Sequence, residues 1–260
     1  MAIRKNKEIR ICGIIQARMS SRRLPGKVLK NLFGKTVIHH IYDRLKECRL
    51  LDDIIVATSN DVSDKILVNH CSENNIPSFS GSLDDVLDRF AKCADKYQAS
   101  HIIRITGDCP LIDPNIVDSI VCGGLYGNFD YYGLGEDFPD GLDCTFIRKE
   151  TLVMASKHAK LTSDREHIGP YIERNENNNF KLGHLRLFYN LNHLRLCIDE
   201  QEDFDLVKQI YERLYDPTKK YFDIYDVLKL FEEEPELLNI NKGKIRNEGL
   251  IKSIQQEKKI

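Results

Sequence analysis

The chain has 260 residues, of which 42% are hydrophobic and 30% charged, and its formal net charge is −2. That is the composition of a soluble globular protein with room for a sizeable core, and it excludes a polycation that binds nucleic acid through its overall field, so an anion site has to be local. No apolar run approaches membrane-spanning length and the opening MAIRKNKEIRIC is charged, so a cytoplasmic protein with no membrane partner is expected.

In chain order, Ile9, Ile11, Ile14 and Ile15 predict a buried strand over 9–15. A cationic loop follows, with Arg18, Arg22, Arg23 and Lys27 interleaved with Ser20, Ser21 and Gly26. Val37, Ile38, Ile41, Leu45 and Cys48 recur at helical spacing, and IIVAT (54–58) is a second buried strand. SGSLDDVLDRFAKCADKY predicts a helix in which Ser82 and Asp85 have capping-box spacing. HIIRIT (101–106) is the next strand, and Asp113 with Pro114 caps the helix after it. This βαβαβα alternation predicts a mostly parallel sheet flanked by helices.

The second half is more mixed. CTFI predicts a strand, 149–158 a helix, and SDRE (163–166) a capping box opening a short helix through Tyr171. HLRLCID (193–199) predicts a further strand, followed by helices over 204–214 and 224–231. Residues 241–260 carry a local charge of +4 and are read as a polar basic tail or solvated helix. With no internal repeat and no low-complexity linker, one domain is expected over 1–240. The eight cysteines form no CxxC pair and have no zinc spacing, so they are read as reduced thiols that pack.

Ligands of parallel α/β sheets bind at the carboxyl ends of the strands. Two segments stand there. The cationic loop offers charge and close backbone approach to a phosphate, although a solvated basic turn would have the same composition. It is neither GxxxxGK[ST] nor GxGxxG. In RITGDCPLIDP, Gly107 permits a turn directly after a buried strand and Asp108 follows it; Asp199 ends another apolar run. A carboxylate in such a position is rare unless it is paired or holds a metal, although a helix-cap or turn aspartate would also stand there. Two such carboxylates facing a cationic loop point to a Mg²⁺–phosphate site, since magnesium takes one or two carboxylates plus phosphate oxygens.

IIQARMSSRRLPGKVL resembles the N-terminal signature of the cytidylyltransferase family, which includes CMP-Kdo and CMP-sialic acid synthetases. The pattern A-R-x-x-S-x-R-L-P-x-K is met by Ala17, Arg18, Ser21, Arg23, Leu24, Pro25 and Lys27. RITGDCPLIDP resembles the second family motif and LRLCIDEQEDFDLV a late one. GSLDDVLDRF, DGLD and SDREHIGPYI resemble a subgroup of spore-coat polysaccharide biosynthesis proteins. The resemblance runs from about Ile9 to Leu214.

It implies a Rossmann-like nucleotide-diphospho-sugar transferase fold, a homodimer, and Mg²⁺-dependent transfer of CMP from CTP to an acidic sugar with release of pyrophosphate. It further implies a nucleotide half over about 8–125 and an acceptor and dimerisation half over about 126–240. Arg18 and Lys27 would hold the triphosphate, with Ser21, Arg23, Gln16, Ala17 and Gly107 around it and Thr58 or Ser59 near the base. Asp108 and Asp199 would bind the metal. Gln16 replaces a proline common in CMP-Kdo synthetases, and Thr145 stands where the subgroup often has an acid, so the acceptor sugar stays open.

Asp140 and Asp143 in PDGLD would suit sugar hydroxyls, but also a Gly-centred turn. Arg165 and His167 are candidate acceptor ligands, Arg165 because its fork suits a carboxylate. Arg104 comes from a strand interior, where it either pairs with a buried carboxylate or reaches the site. Cys109 has no base nearby and is read as packing. Three alternatives remain: transfer to a sugar 1-phosphate or polyol phosphate; a glycosyltransferase, for which GDCP is the wrong metal motif; and a non-catalytic sugar-nucleotide-binding protein.

Overall fold

The computed structural model describes residues 9–244, 246 and 248–257. The charged N-terminal residues 1–8, and residues 245, 247 and 258–260 of the basic C-terminal segment, lie outside them. A seven-stranded sheet organises the chain, in the order β5-β4-β1-β6-β8-β7-β9. Its parallel part comprises β1 (Ile11–Gln16), β4 (Asp53–Ser59), β5 (Ser78–Gly81) and β6 (His101–Thr106). β8 (Cys144–Arg148) runs antiparallel to β6, β7 (Tyr131–Leu134) antiparallel to β8, and β9 (Leu182–Leu185) parallel to β7. The short strands β2 (Asn31–Leu32) and β3 (Lys35–Thr36) form a separate hairpin.

β1 shows why its sequence has no polar alternation. Ile11 and Ile15 face one core, with α1 (Val37–Leu45), α2 (Lys65–Glu73), α4 (Pro114–Tyr126), α8 (Gln201–Leu214) and α9 (Ile224–Glu233). Cys12 and Ile14 face the other, with α3 (Val86–Lys96), α5 (Lys149–His158) and α7 (Gly169–Arg174). A strand covered on both faces has no solvated side to mark with polar residues. From β1 the chain builds outward to β4 and β5, then crosses back to place β6 on the other side of β1. The order reverses there, and such a reversal opens a crevice at the carboxyl ends.

Several boundaries differ from the sequence reading. α2, β5, β7 and β9 were not foreseen. The cap of α3 is Asp85, which accepts from Asp88 N, while Ser82 accepts from Asp85 N one turn earlier. SDRE does not form a capping box: Ser163 lies inside α6 (Thr162–His167), which starts from Leu161 with no side-chain cap. The helix breaks at Ile168, whose φ of 66° separates α6 from α7. A β-branched residue is disfavoured there, and burial of its side chain holds it in place.

HLRLCID is not a sheet strand. Leu194, Leu196 and Ile198 are buried as the pattern requires. Their backbone pairs instead with the 137–141 loop and with Asp108, through Asp140 N to Leu194 O, Leu196 N to Asp140 O and Ile198 N to Asp108 O. Gly141, at φ 103°, permits this approach: a Cβ there would lie 2.3 Å from the Cys197 nitrogen. The described part of the C-terminal segment includes α10 (Glu248–Glu257), which packs on α6.

Candidate active site

The cationic loop is a folded structure. Asp64 is fully buried; it accepts from Met19 N at 2.7 Å and from Ser59 N at 3.1 Å, and it also accepts the Ser59 hydroxyl. Ala17 N donates to Ala57 O. These bonds tie the first residues of the loop to the end of β4. Gly26 then turns the chain in the left-handed region, at φ 69°, into a short 3₁₀ turn over Lys27–Leu29. The turn sends Lys27 inward, where it is 8% exposed.

The Lys27 ammonium donates to Asp108 Oδ2 at 2.7 Å, to Ile198 O at 2.7 Å and to Asp199 Oδ1 at 2.9 Å. Burial acts to lower the Lys27 pKa, but the two carboxylates outweigh it and hold the group above the ordinary lysine value. Asp108 shows the converse: burial acts to raise it, and Lys27 draws it below the usual carboxylate range. Gly107 is required just before it, because a Cβ would meet Gln16 O at 2.8 Å and Ala17 Cβ at 2.9 Å.

Asp199 joins two further cations. Its Oδ2 lies 2.8 Å from Arg23 and 3.0 Å from Arg195. Arg195 also meets Asp140 at 2.9 Å and Asp203 at 3.0 Å. Arg23 also meets Glu248 of α10 at 2.9 Å, so the C-terminal helix reaches the edge of the cluster. Across the crevice Arg18 faces Glu166 of α6 at 3.4 Å.

The remaining candidates are placed as follows. Ser21 Oγ accepts from Leu24 N inside the loop. Thr58 is buried with no partner for its hydroxyl among the described residues, beside Ser59 on Asp64. Asp140 is buried on Arg195; burial, with Asp143 adding to it, raises its pKa to about 6. Asp143 accepts from Gly141 N, as a turn aspartate does. His167 lies 3.3 Å from Ser253 of α10, and burial lowers its pKa.

Arg165 departs from expectation. Its guanidinium is held by Asp85, through Nε at 3.0 Å and through Nη2, and by the carbonyls of Ser156 and Ala159. It ties α6 to α3 and α5. The Cys109 thiol is raised well above its ordinary value by burial, in keeping with packing.

Sequence reasoning overlooked Arg195, Asp64 and Glu248. Arg195 had a signal, because it precedes Asp199 by four residues, and Asp203 follows by four. Asp64 and Glu248 had none, since each acts on a loop far away in sequence.

The atoms that accept from the Lys27 ammonium are all oxygen, two of them carboxylate, and oxygen ligands suit a hard divalent cation. No group of three or more His, Cys, Asp or Glu side chains among the described residues could hold a metal unaided. Two carboxylates are within the number magnesium takes from a protein when phosphate and water supply its remaining ligands. A cavity of about 220 Å³ between α1, α8 and the 215–222 segment is lined by none of the site residues.

Comparison with known proteins gives four findings. Residues 12–224 match the family described as Cytidylyltransferase. A spore coat polysaccharide biosynthesis protein of Bacillus subtilis is 33% identical over 208 residues, 77% of this chain and 85% of that protein. Among solved structures, a cytidylyltransferase of Leptospira borgpetersenii superposes with a TM-score of 0.83 at 29% identity, covering 92% of this chain and all of the other. A CMP:2-keto-3-deoxy-manno-octonic acid synthetase solved with CTP superposes at 0.60 with 16% identity over 78% of this chain and 99% of the other, a likeness of fold. No described helix is long and apolar enough to cross a membrane.

Proposed function

The chain belongs to the cytidylyltransferase family, and on that premise we propose that this nucleotidyltransferase moves CMP from CTP to an acidic, sialic-acid-like or Kdo-like sugar with release of pyrophosphate. The observation that carries the reading is the Lys27 ammonium between Asp108 and Asp199 at the carboxyl edge of the sheet, beside an arginine-rich loop. In the proposed reaction an acceptor hydroxyl attacks the α-phosphorus of CTP in line. The new O–P bond forms as the bond to the β-phosphate breaks. Such chemistry asks the protein mainly for positioning and charge neutralisation.

Arg18 and Lys27 hold the triphosphate, and Lys27 neutralises charge as pyrophosphate leaves. Arg23 turns from Asp199 and Glu248 towards phosphate. Ser21, Gln16, Ala17 and Gly107 shape the loop around it, and Thr58 and Ser59 border the base. Asp108 and Asp199 would hold Mg²⁺, which when bound would supply Lewis-acid stabilisation of phosphate charge. Residues 8–125 form the nucleotide half and 126–240 the acceptor half, with Asp143 and His167 bordering the sugar and a homodimer formed through that second half. Eight free cysteines support a reducing, cytoplasmic setting.

The test is pyrophosphate release with each of the four NTPs across acidic sugars, sugar phosphates and neutral sugars. Release with CTP and an acidic sugar is expected. Release with a sugar 1-phosphate in preference to any acidic sugar would overturn the choice of acceptor, and release with another NTP in preference to CTP the choice of donor.

A further inference from the structure

If the acceptor is acidic, its anionic group needs a cation once water is excluded, and Arg165 is held at Asp85. Arg104 is placed otherwise. It projects from β6, in register with Ile14 of β1 on one side and Thr145 of β8 on the other. It precedes Asp108 by four residues on the strand that delivers that carboxylate. One of its nitrogens, Nη2, donates to Gln16 Oε1 at 3.2 Å. Its Nε is buried and has no partner among the described residues. Among the described residues no carboxylate pairs with this guanidinium.

A buried donor without an acceptor costs about 1–3 kcal/mol, and a charged one more. An acceptor placed at this nitrogen would recover that cost. The surroundings point to an anion. His167, whose imidazole is depressed first by burial, lies near enough to Arg104 and Arg18 to feel both charges, against the opposing charge of Glu166. Thr145, opposite Arg104, is uncharged, so the neighbouring strand supplies no carboxylate to neutralise the guanidinium at that position.

We propose that Arg104, oriented by Gln16 and facing the uncharged Thr145, is the residue that binds the anionic group of the acceptor. The shared chemistry is an oxyanion, a sugar carboxylate or a sugar phosphate, that accepts from the Nε and Nη donors of one guanidinium. This inference rests on the reading of the protein as a transferase acting on an acidic acceptor.

The test measures binding apart from turnover. Tm of the full chain is recorded with N-acetylneuraminate, 3-deoxy-manno-octulosonate, glucose 1-phosphate and, as the neutral control, glucose. At least one anion is expected to raise Tm of the unmodified protein where glucose does not; a carboxylate-only or phosphate-only response identifies the source. Arg104→Ala should abolish that shift, and Arg104→Lys should keep part of it. Both variants should retain the Tm rise caused by CTP, which controls for folding. With the responding anion as acceptor, Arg104→Lys should raise its KM about tenfold or more and move the CTP KM less than about twofold. Absence of any shift by the three anions, or a shift that survives in Arg104→Ala, overturns the proposal. Anion binding through Arg104 without CTP-dependent pyrophosphate release would leave the site standing and remove the transferase reading instead.

Discussion

The Lys27 ammonium lies 2.7 Å from Asp108 Oδ2, joining the loop after β1 to the loop after β6. The same nitrogen reaches Asp199 at 2.9 Å, so one cation holds two carboxylates together. Lys27→Met leaves those carboxylates facing each other. Stability should fall by about 2 kcal/mol, below the range for breaking a fully buried pair because Asp108 remains partly solvated. Added Mg²⁺ should then raise Tm more in Lys27→Met than in the unmodified protein, since the ion replaces the missing charge. Equal shifts in the two would remove the carboxylate pair as the metal site.

Asp108→Asn should lower kcat by roughly 10³-fold, because a metal-holding carboxylate contributes several kcal/mol of transition-state stabilisation. The circular dichroism spectrum should not change, since Lys27 keeps Asp199 and the Ile198 carbonyl. Near-normal turnover at saturating Mg²⁺ would refute the assignment.

Arg195 meets Asp140, Asp199 and Asp203, and Asp203 is fully buried. Arg195→Met should therefore destabilise the protein by about 3–5 kcal/mol in urea unfolding, the magnitude for a buried network that loses one partner. A loss below about 1 kcal/mol would show that these carboxylates are neutralised in another way.

For Arg165→Ala the expected effect is on stability, about 1–3 kcal/mol, from the loss of Asp85 and two carbonyl acceptors. KM for acceptor and for CTP should change little and together. An acceptor-selective rise would return Arg165 to the sugar.

His40 is buried against Tyr211 and Tyr215, and its Nε2 donates to Leu32 O. Burial lowers its pKa to about 4. The folded state thus binds this proton less readily than the unfolded state does. The contribution to stability is complete above about pH 6.5 and is lost as pH falls towards 4, a change of about 3 kcal/mol. His40→Gln should be less stable at pH 7.5 but flatter between pH 6.5 and 4. Parallel curves for the two proteins would contradict a buried neutral His40.

The sequence by itself determined the parallel part of the sheet and the residues at its carboxyl edge. β1, β4, β6, α4 and α5 were legible because unbroken apolar runs, helical spacing, Asp113 and Pro114 are local signals. Gly107, Asp108 and Lys27 were legible because a glycine and charges beside buried strands are unusual wherever they occur. Tertiary structure alone decided the partners. HLRLCID has the apolar alternation of a strand, yet its hydrogen bonds go to the 137–141 loop and to Asp108, a choice fixed by residues some 55 and 90 positions away. Arg165 and Arg104 look alike as sequence, a cation near apolar residues. Asp85, 80 positions from Arg165, holds one, while Thr145 opposite Arg104 leaves the other its charge. Which cation is neutralised depends on distances across the fold, and a linear pattern of residue types does not contain those distances.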